Sequence, residues 1–230
     1  GAENLSLIPG EVGAAAVQNI GAYGVEVKDI ISGVVCYDLQ EKKKVKFSAS
    51  ECRYAYRMSM FKEPENKGRY IVTSVLFRLS RIPRPRLEYK GLSEALEGKT
   101  PQSPVEVREA VIKLRRSKLP DPEEIGNAGS FFKNPVVSAD EFRRISPDGS
   151  APHYDLPDGS VKIPAAWLID SCGLKGASQG GASVYEKQPL VIVNSSGDAS
   201  PSDILALEKR VTETVRERFG VELEPEVEHI

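Results

Sequence analysis

The sequence predicts an α+β fold in two parts. Three observations carry the prediction. Two β-rich runs that read as a hairpin, and then a strong strand signal, dominate the first half. A stretch with two prolines, IPRPRLEYKGL, follows and places a boundary or crossover there. Two well-capped helices, with strand signals between them, fill the second half. A length of 230 residues suits one large domain or two small ones, and it allows a sizeable core.

The elements follow in order. Residues 1–24 are rich in Gly and Ala and read as a loop, a short helix and another loop. IISGVVCYDL and KVKFSA are β-rich and separated by QEKK, a hairpin pattern. SECRYAYR reads as irregular or helical, and RYIVTSVLFRLS is the strongest strand signal of the first half. A helix start follows: Ser103 as N-cap, Pro104 at the first helical position and Glu106 completing a capping box. Val107, Val111 and Leu114 recur at helical spacing, and Pro120 ends the element. DPEEIGNAGS reads as a loop and FFKNPVVS as a strand. IPAAWLIDSCG reads as a short helix between Pro164 and Gly173; SVYE and PLVIVN read as strands. Ser200, Pro201 and Asp203 repeat the helix-start signal. Ile204, Leu207, Val211 and Val215 form its apolar stripe and Gly220 its stop. VELEPEVEHI alternates: Val221, Leu223 and Val227 against Glu222, Glu224, Glu226 and Glu228. It reads as a strand, with Pro225 placing it at an edge or an end.

Composition excludes several classes of function. Apolar residues make up 40% and charged residues 28%, the balance of an ordinary globular protein rather than a disordered one. The formal charge is -2, so the whole chain has no basic field to hold nucleic acid or an anionic membrane. No apolar run approaches a membrane span. Two histidines and three scattered cysteines give no zinc spacing, so no metal is expected. The odd cysteine count argues against a disulfide framework and for a reducing cytoplasm. The start, GAENLSLIPG, carries no signal-peptide pattern and looks like the interior of a protein, which suggests a truncated chain.

Few motifs carry chemistry by themselves. The chain has neither a Walker A sequence nor G-x-G-x-x-G, although the Gly10–Gly13 turn could present N–H groups to a phosphate. Ser130, in GNAGSFFKNP, is either a nucleophile or a turn serine bonded to its own backbone. Neither His153 nor His229 has a suggestive spacing for a triad. Arg53 and Arg57, among aromatics, read equally as arginines covering ring faces. Tyr89 lies in a proline-bounded mobile loop, where an exposed ring stays wet unless something docks. Lys118 ends a basic stretch at a helix C-terminus, where the dipole alone favours positive charge.

Several long blocks, in order, go further: ENLSLIPGEVGAAAVQNIGAYGVE, ECRYAYR, SKLPDP, GNAGSFFKNPVVS, GSVKIPAAWLID and LEPEV. With them the chain resembles the UDP-N-acetylenolpyruvoylglucosamine reductase (MurB) family over essentially its whole length. The stretch around Tyr89 resembles the subclass with a tyrosine-bearing lid. Ala16 stands where the family usually has proline. The resemblance implies that the family's N-terminal lobe is missing. Residues 1–102 would be the remaining lobe of a two-lobed FAD-binding domain with its lid, and residues 103–230 the α+β substrate-binding domain.

The resemblance also implies roles. Ser130 matches the proton donor, and Glu226 and Arg57 match the groups beside the substrate carboxylate. Tyr89, Lys118, Asn134, Tyr154 and Gln188 match positions that hold the diphosphate and nucleotide. Gly10, Gly13, Ala14, Ala15, Gln18 and Asn19 would contact the flavin. The implied cofactor is FAD, with NADPH as co-substrate. The implied partner is UDP-N-acetylglucosamine enolpyruvate, with no nucleic acid or membrane, in a cytoplasmic monomer. In the implied reaction NADPH reduces the flavin, hydride reaches the methylene carbon, and Ser130 protonates the adjacent carbon while Arg57 and a protonated Glu226 stabilise the enolate. A flavin-free UDP-sugar-binding module, or an inactive fragment of the enzyme, is the alternative, because the implied FAD site is incomplete.

Overall fold

The computed structural model describes residues 1–229, apart from the side chain of Lys90. The chain forms two units, Gly1–Ser117 and Lys118–Ile230.

In the first unit, helix α1 (Val12–Gln18) precedes a two-strand ladder, β1 (Gly21–Ala22) and β2 (Val25–Glu26). A three-stranded antiparallel sheet follows, ordered β4-β3-β5, from β3 (Ile31–Asp38), β4 (Lys43–Ser48) and β5 (Tyr70–Phe77). The predicted hairpin and strong strand are therefore present. Asp38 closes β3 by accepting the backbone N–H groups of Gln40 (2.9 Å) and Glu41 (3.1 Å), which starts the hairpin turn. It also receives a two-pronged bond from Arg69, with Nη2 2.7 Å from Oδ2. That guanidinium, helped by the two backbone N–H groups, holds the Asp38 carboxyl down at about 2. The core under this sheet includes Val27, Ile31, Val34, Cys36, Cys52 and Phe61. Burial pushes the Cys36 thiol up to about 11 and raises that of Cys52, which suits packing rather than reactivity.

A second, smaller cluster sets the unit boundary. Helix α2 (Lys90–Ala95) and helix α3 (Pro104–Lys118) bury Leu92, Val107 and Val111 completely, with Tyr23, Leu87 and Tyr89 packed around them. The sequence placed the boundary at 102/103, ahead of α3. The structure places it at 117/118, because the apolar stripe of α3 is satisfied by residues that precede it.

The second unit has one four-stranded sheet, ordered β10-β11-β12-β6, and one three-stranded sheet, ordered β7-β9-β8. The strands are β6 (Asn127–Ser130), β7 (Val136–Val137), β8 (Tyr154–Asp155), β9 (Val161–Lys162), β10 (Ser178–Gln179), β11 (Ala182–Val184) and β12 (Val191–Asn194). Helices α4 (Ala139–Ile145), α5 (Ala165–Ser171) and α6 (Pro201–Phe219) complete the unit. As the sequence predicts, α6 begins in a Ser200/Asp203 capping box, ends at Gly220 in the left-handed region (φ 69°), and buries Leu207, Val211 and Val215.

Two expectations fail here. NAGS is strand rather than loop, and FFKN is not the body of a strand. β12 is the strong partner and recruits β6 through a bulge between Val191 and Val193, while Phe131 and Phe132 sink into the core. The C-terminal segment alternates as expected, with Val221 and Leu223 buried and Glu222 and Glu224 exposed, but it is not a strand. It makes a single bridge, Phe132 opposite Pro225, closed by Lys133 N–H on the Glu224 carbonyl and Glu226 N–H on the Phe131 carbonyl. Helix α4 was not anticipated, although Ser138 and Glu141 form a full capping box.

Candidate functional site

In the second unit the candidates converge on the backbone of Phe131. Its N–H donates to the Leu190 carbonyl (2.7 Å), and its carbonyl accepts from the Glu226 N–H (2.7 Å). Lys133 N–H closes the same bridge on the Glu224 carbonyl (2.9 Å). Ser130 is thus opposite Val191, and the half-buried Glu226 is tied to the residue that follows Ser130. Gln188 sits in the turn before β12, which its carbonyl closes by accepting from Val191 N–H at 2.9 Å. Residues spread over almost a hundred positions therefore share one junction.

Two polar groups at this junction have no hydrogen-bond partner among the described residues, the Ser130 hydroxyl and Gln188 Oε1. The exposed Ser130 hydroxyl makes no hydrogen bond among the described residues, so Ser130 is not a turn serine bonded to its own backbone. Gly129, just before it, has φ 75°, and a Cβ there would meet nothing within 4 Å, so the backbone beside the serine faces open space. Gln188 Oε1 is buried without a partner, and such an acceptor costs free energy until a donor reaches it. Neither histidine serves the serine: His153 Nδ1 lies 2.8 Å from the Ala151 carbonyl, and His229 Nε2 3.0 Å from Glu208.

Other candidates lie on the adjacent strands. Asn134 Oδ1 accepts from Ala165 N–H (2.9 Å) and so anchors the start of α5. Tyr154 and Val136 flank Lys162 in register across β8-β9-β7, and the Lys162 ammonium lies 5.3 Å from the Tyr154 ring centroid. That cation–π pair, invisible in the sequence, leaves Tyr154 49% exposed. Lys118, at the end of α3, is exposed and makes no ion pair among the described residues.

In the first unit, by contrast, most candidates are held in place. Asn19 is fully buried: Nδ2 donates to the Ala55 carbonyl (2.7 Å) and Oδ1 accepts from Lys28 N–H (3.2 Å). Gln18 Oε1 accepts from Lys62 Nζ (2.7 Å). Arg57 Nη2 donates to the Gly21 carbonyl (2.8 Å), and its guanidinium lies 5.2 Å from the Tyr56 ring centroid; Arg53 pairs with Glu63. Tyr89 caps α2 and is half-buried rather than wet, its ring edge-on to Tyr23 with centroids 5.1 Å apart. Asn4, which the sequence did not single out, ties this arrangement down by donating to the carbonyls of Tyr23 (2.8 Å) and Arg86 (2.9 Å).

An open cleft of about 680 Å³ lies between α1 and β5. Gly13 and Ala14 line one wall, and Val72, Thr73, Ser74 and Val75 the other. Gly10, Ala15, Gln18 and Asn19 are not among its lining residues. At Gly13 a Cβ would already touch Val72 at 3.5 Å, so the small residue lets helix and strand approach. The β5 wall was missed because strand periodicity says which residues share a face, not what faces them. Both walls are mostly small and apolar; their polar residues are Glu11, Ser74 and Thr73, whose hydroxyl already donates to the Val35 carbonyl (3.1 Å). Among the described residues no group of His, Cys, Asp or Glu could hold a metal ion, and no helix is long and apolar enough to cross a membrane.

Fold and site together define a two-unit α+β protein whose second unit presents a serine, an amide and a carboxylate at one strand junction. Residues 121–230 match the family model of the UDP-N-acetylenolpyruvoylglucosamine reductase C-terminal domain. The chain is 50% identical over 235 residues to the UDP-N-acetylenolpyruvoylglucosamine reductase of Porphyromonas gingivalis, covering 100% of this chain and 68% of that one. It is 51% identical over 230 residues to that of Chromobacterium violaceum, covering 98% and 67%. It also matches the crystal structure of UDP-N-acetylenolpyruvylglucosamine reductase (MurB) from Thermus caldophilus, with a TM-score of 0.66 and 26% identity over 99% of this chain and 63% of that one. The chain belongs to the UDP-N-acetylenolpyruvoylglucosamine reductase family. It spans about two thirds of the length of these relatives.

Proposed function

We propose that this chain carries the substrate-binding and proton-transfer machinery of a reductase that converts UDP-N-acetylglucosamine enolpyruvate to UDP-N-acetylmuramate, a step in building peptidoglycan. The relatives' shared name supports the substrate class. The observation that carries the reading is the junction at Phe131, which ties the Glu226 backbone to the residue after Ser130, whose hydroxyl makes no hydrogen bond among the described residues.

FAD, recharged by NADPH, would supply the hydride when bound, and the cleft walled by Gly13, Ala14 and Val72–Val75 is its proposed seat. Ser130 then delivers a proton to the carbon next to the reduced one. A hydroxyl is a weak acid in water, but an enolate carbon is a strong base, and a free, oriented donor suffices. Glu226 is tied by its own backbone to the residue after the donor, and its carboxyl is assigned to the substrate carboxylate. Arg57 is assigned to that carboxylate too, with its guanidinium oriented by the Gly21 carbonyl. Lys118 offers an unpaired ammonium to the diphosphate, Gln188 an unpaired acceptor to the nucleotide, and Asn134, Tyr154 and Tyr89 complete its contacts.

Titrating the chain with UDP-N-acetylglucosamine by calorimetry tests the substrate reading; no heat of binding sinks it. The spectrum of the purified protein separates the enzyme from a flavin-free module. A yellow protein, or one that turns yellow with added FAD, supports the enzyme.

A further inference from the structure

The whole-chain charge of -2 conceals a division. The unit Gly1–Ser117 holds 20 Lys and Arg against 14 Asp and Glu, while the unit that follows holds 11 against 19. Within the basic unit two exposed segments concentrate the charge, Lys42, Lys43, Lys44 and Lys46 on the β3–β4 hairpin and the arginines that follow β5, and only the second interleaves its cations with exposed large aliphatic side chains. Arg78, Arg81 and Arg84 are exposed and meet no carboxylate among the described residues. Every residue from Leu76 to Arg84 is exposed.

This segment is anchored at both ends. Arg78 N–H donates to the Ile30 carbonyl (2.7 Å), and the Arg86 carbonyl accepts from the buried Asn4 (2.9 Å). Between the anchors the only hydrogen bonds among the described residues are local, between Ser80 and Ile82. Pro83 and Pro85 keep the stretch out of helix and ladder. Leu79 is 61% and Ile82 66% exposed, among the most exposed large apolar side chains of the chain. The outcome is a fixed strap with guanidinium groups and aliphatic side chains interleaved.

We infer that the strap at 78–86 is a peripheral docking surface for an anionic lipid bilayer. The charge accounts for attraction to any polyanion. Leu79 and Ile82 decide between them, because aliphatic side chains gain by entering the acyl boundary and gain little on nucleic acid, where aromatic stacking does that work. Each cation near an anionic leaflet strengthens partitioning about five-fold, so three arginines supply about a hundred-fold, and two aliphatic side chains add the second signal that reversible anchoring needs.

Co-sedimentation of the chain with phosphatidylcholine vesicles, with and without phosphatidylglycerol, is the test. Binding is expected only with phosphatidylglycerol, and it should fall steeply with salt. The R78Q/R81Q/R84Q variant should lose about a hundred-fold in partitioning. L79S/I82S should bind more weakly while keeping its salt dependence. K42Q/K43Q/K44Q removes as much charge from the β3–β4 hairpin and should bind like the parent. Equal binding to neutral vesicles, parental binding by the arginine variant, or an equal loss in the hairpin variant would each overturn the proposal. So would binding of L79S/I82S as tight as the parent's, with short DNA displacing the vesicles, because that is the behaviour of a nucleic-acid surface.

Discussion

Ser130 and Asn19 stand at comparable places, each at the end of a short element, in different units. Ser130 keeps its hydroxyl out of the unit's hydrogen bonding. Asn19 gives its whole amide to the fold, on Ala55, Lys28 and Glu26. The contrast extends to their neighbours. Lys118 and Gln188 Oε1 are left over by the second unit, whereas Gln18, Arg57 and Tyr89 are engaged within the first. A polar side chain left over by folding is available to a ligand; one used by folding is a stability determinant first. Substitutions should therefore cost function in one unit and stability in the other.

The largest expected effect breaks or keeps that contrast at Ser130. In flavin-loaded protein, Ser130→Ala should slow flavin reoxidation by the enolpyruvyl substrate about 10²–10⁴-fold, with reduction by NADPH intact. Its unfolding free energy should stay within about 0.5 kcal/mol of the parent's. Stopped-flow spectra of the two halves, with a melt as control, measure both; reoxidation within a few-fold of the parent would remove the proton-donor role.

Asn19→Ala is the counterpart. It strands the Lys28 N–H and the Ala55 carbonyl and places alanine at φ 49°, so it should cost about 3 kcal/mol in a urea titration. A loss below about 1 kcal/mol would show that the buried amide is not structural.

Lys118→Ala should weaken UDP-sugar binding by about 1.5–3 kcal/mol if the ammonium meets the diphosphate. The helix dipole alone is worth about 0.3–1 kcal/mol, and it would appear in stability rather than in binding. Calorimetry on the two proteins decides, and unchanged affinity returns the lysine to its helix end.

The smallest effect is an acid one. The folded pKa of Asp38, at about 2, is below the ordinary aspartate value. Its contribution is therefore complete above about pH 4 and is lost as pH falls through about 2. Asp38→Asn should flatten the acid limb of the first unit's unfolding curve, followed by circular dichroism from pH 5 to about 1.5. An unchanged limb would mean that the Arg69 pair does not govern acid stability.

Elements whose signals are local were legible. Helix α6 shows its cap, stripe and stop within twenty residues, and the β3–β4 hairpin its alternation and turn. Helix α4 carries an equally local signal, the Ser138/Glu141 capping box. Strand β6 was not legible, because NAGS has the composition of a turn and is a strand only through β12.

The sequence by itself determined the capped helices, the hairpin, the in-and-out alternation of 221–224 and, through its ordered blocks, the family. Tertiary structure alone decided that α3 belongs to the first unit, that 221–228 makes one bridge instead of a strand, and which polar side chains remain available. The reason is the range of the forces involved. Caps and periodic stripes act within a turn or two of the chain. The Phe131 junction joins backbone groups from Leu190 and Glu226, whose positions depend on how the whole unit packs.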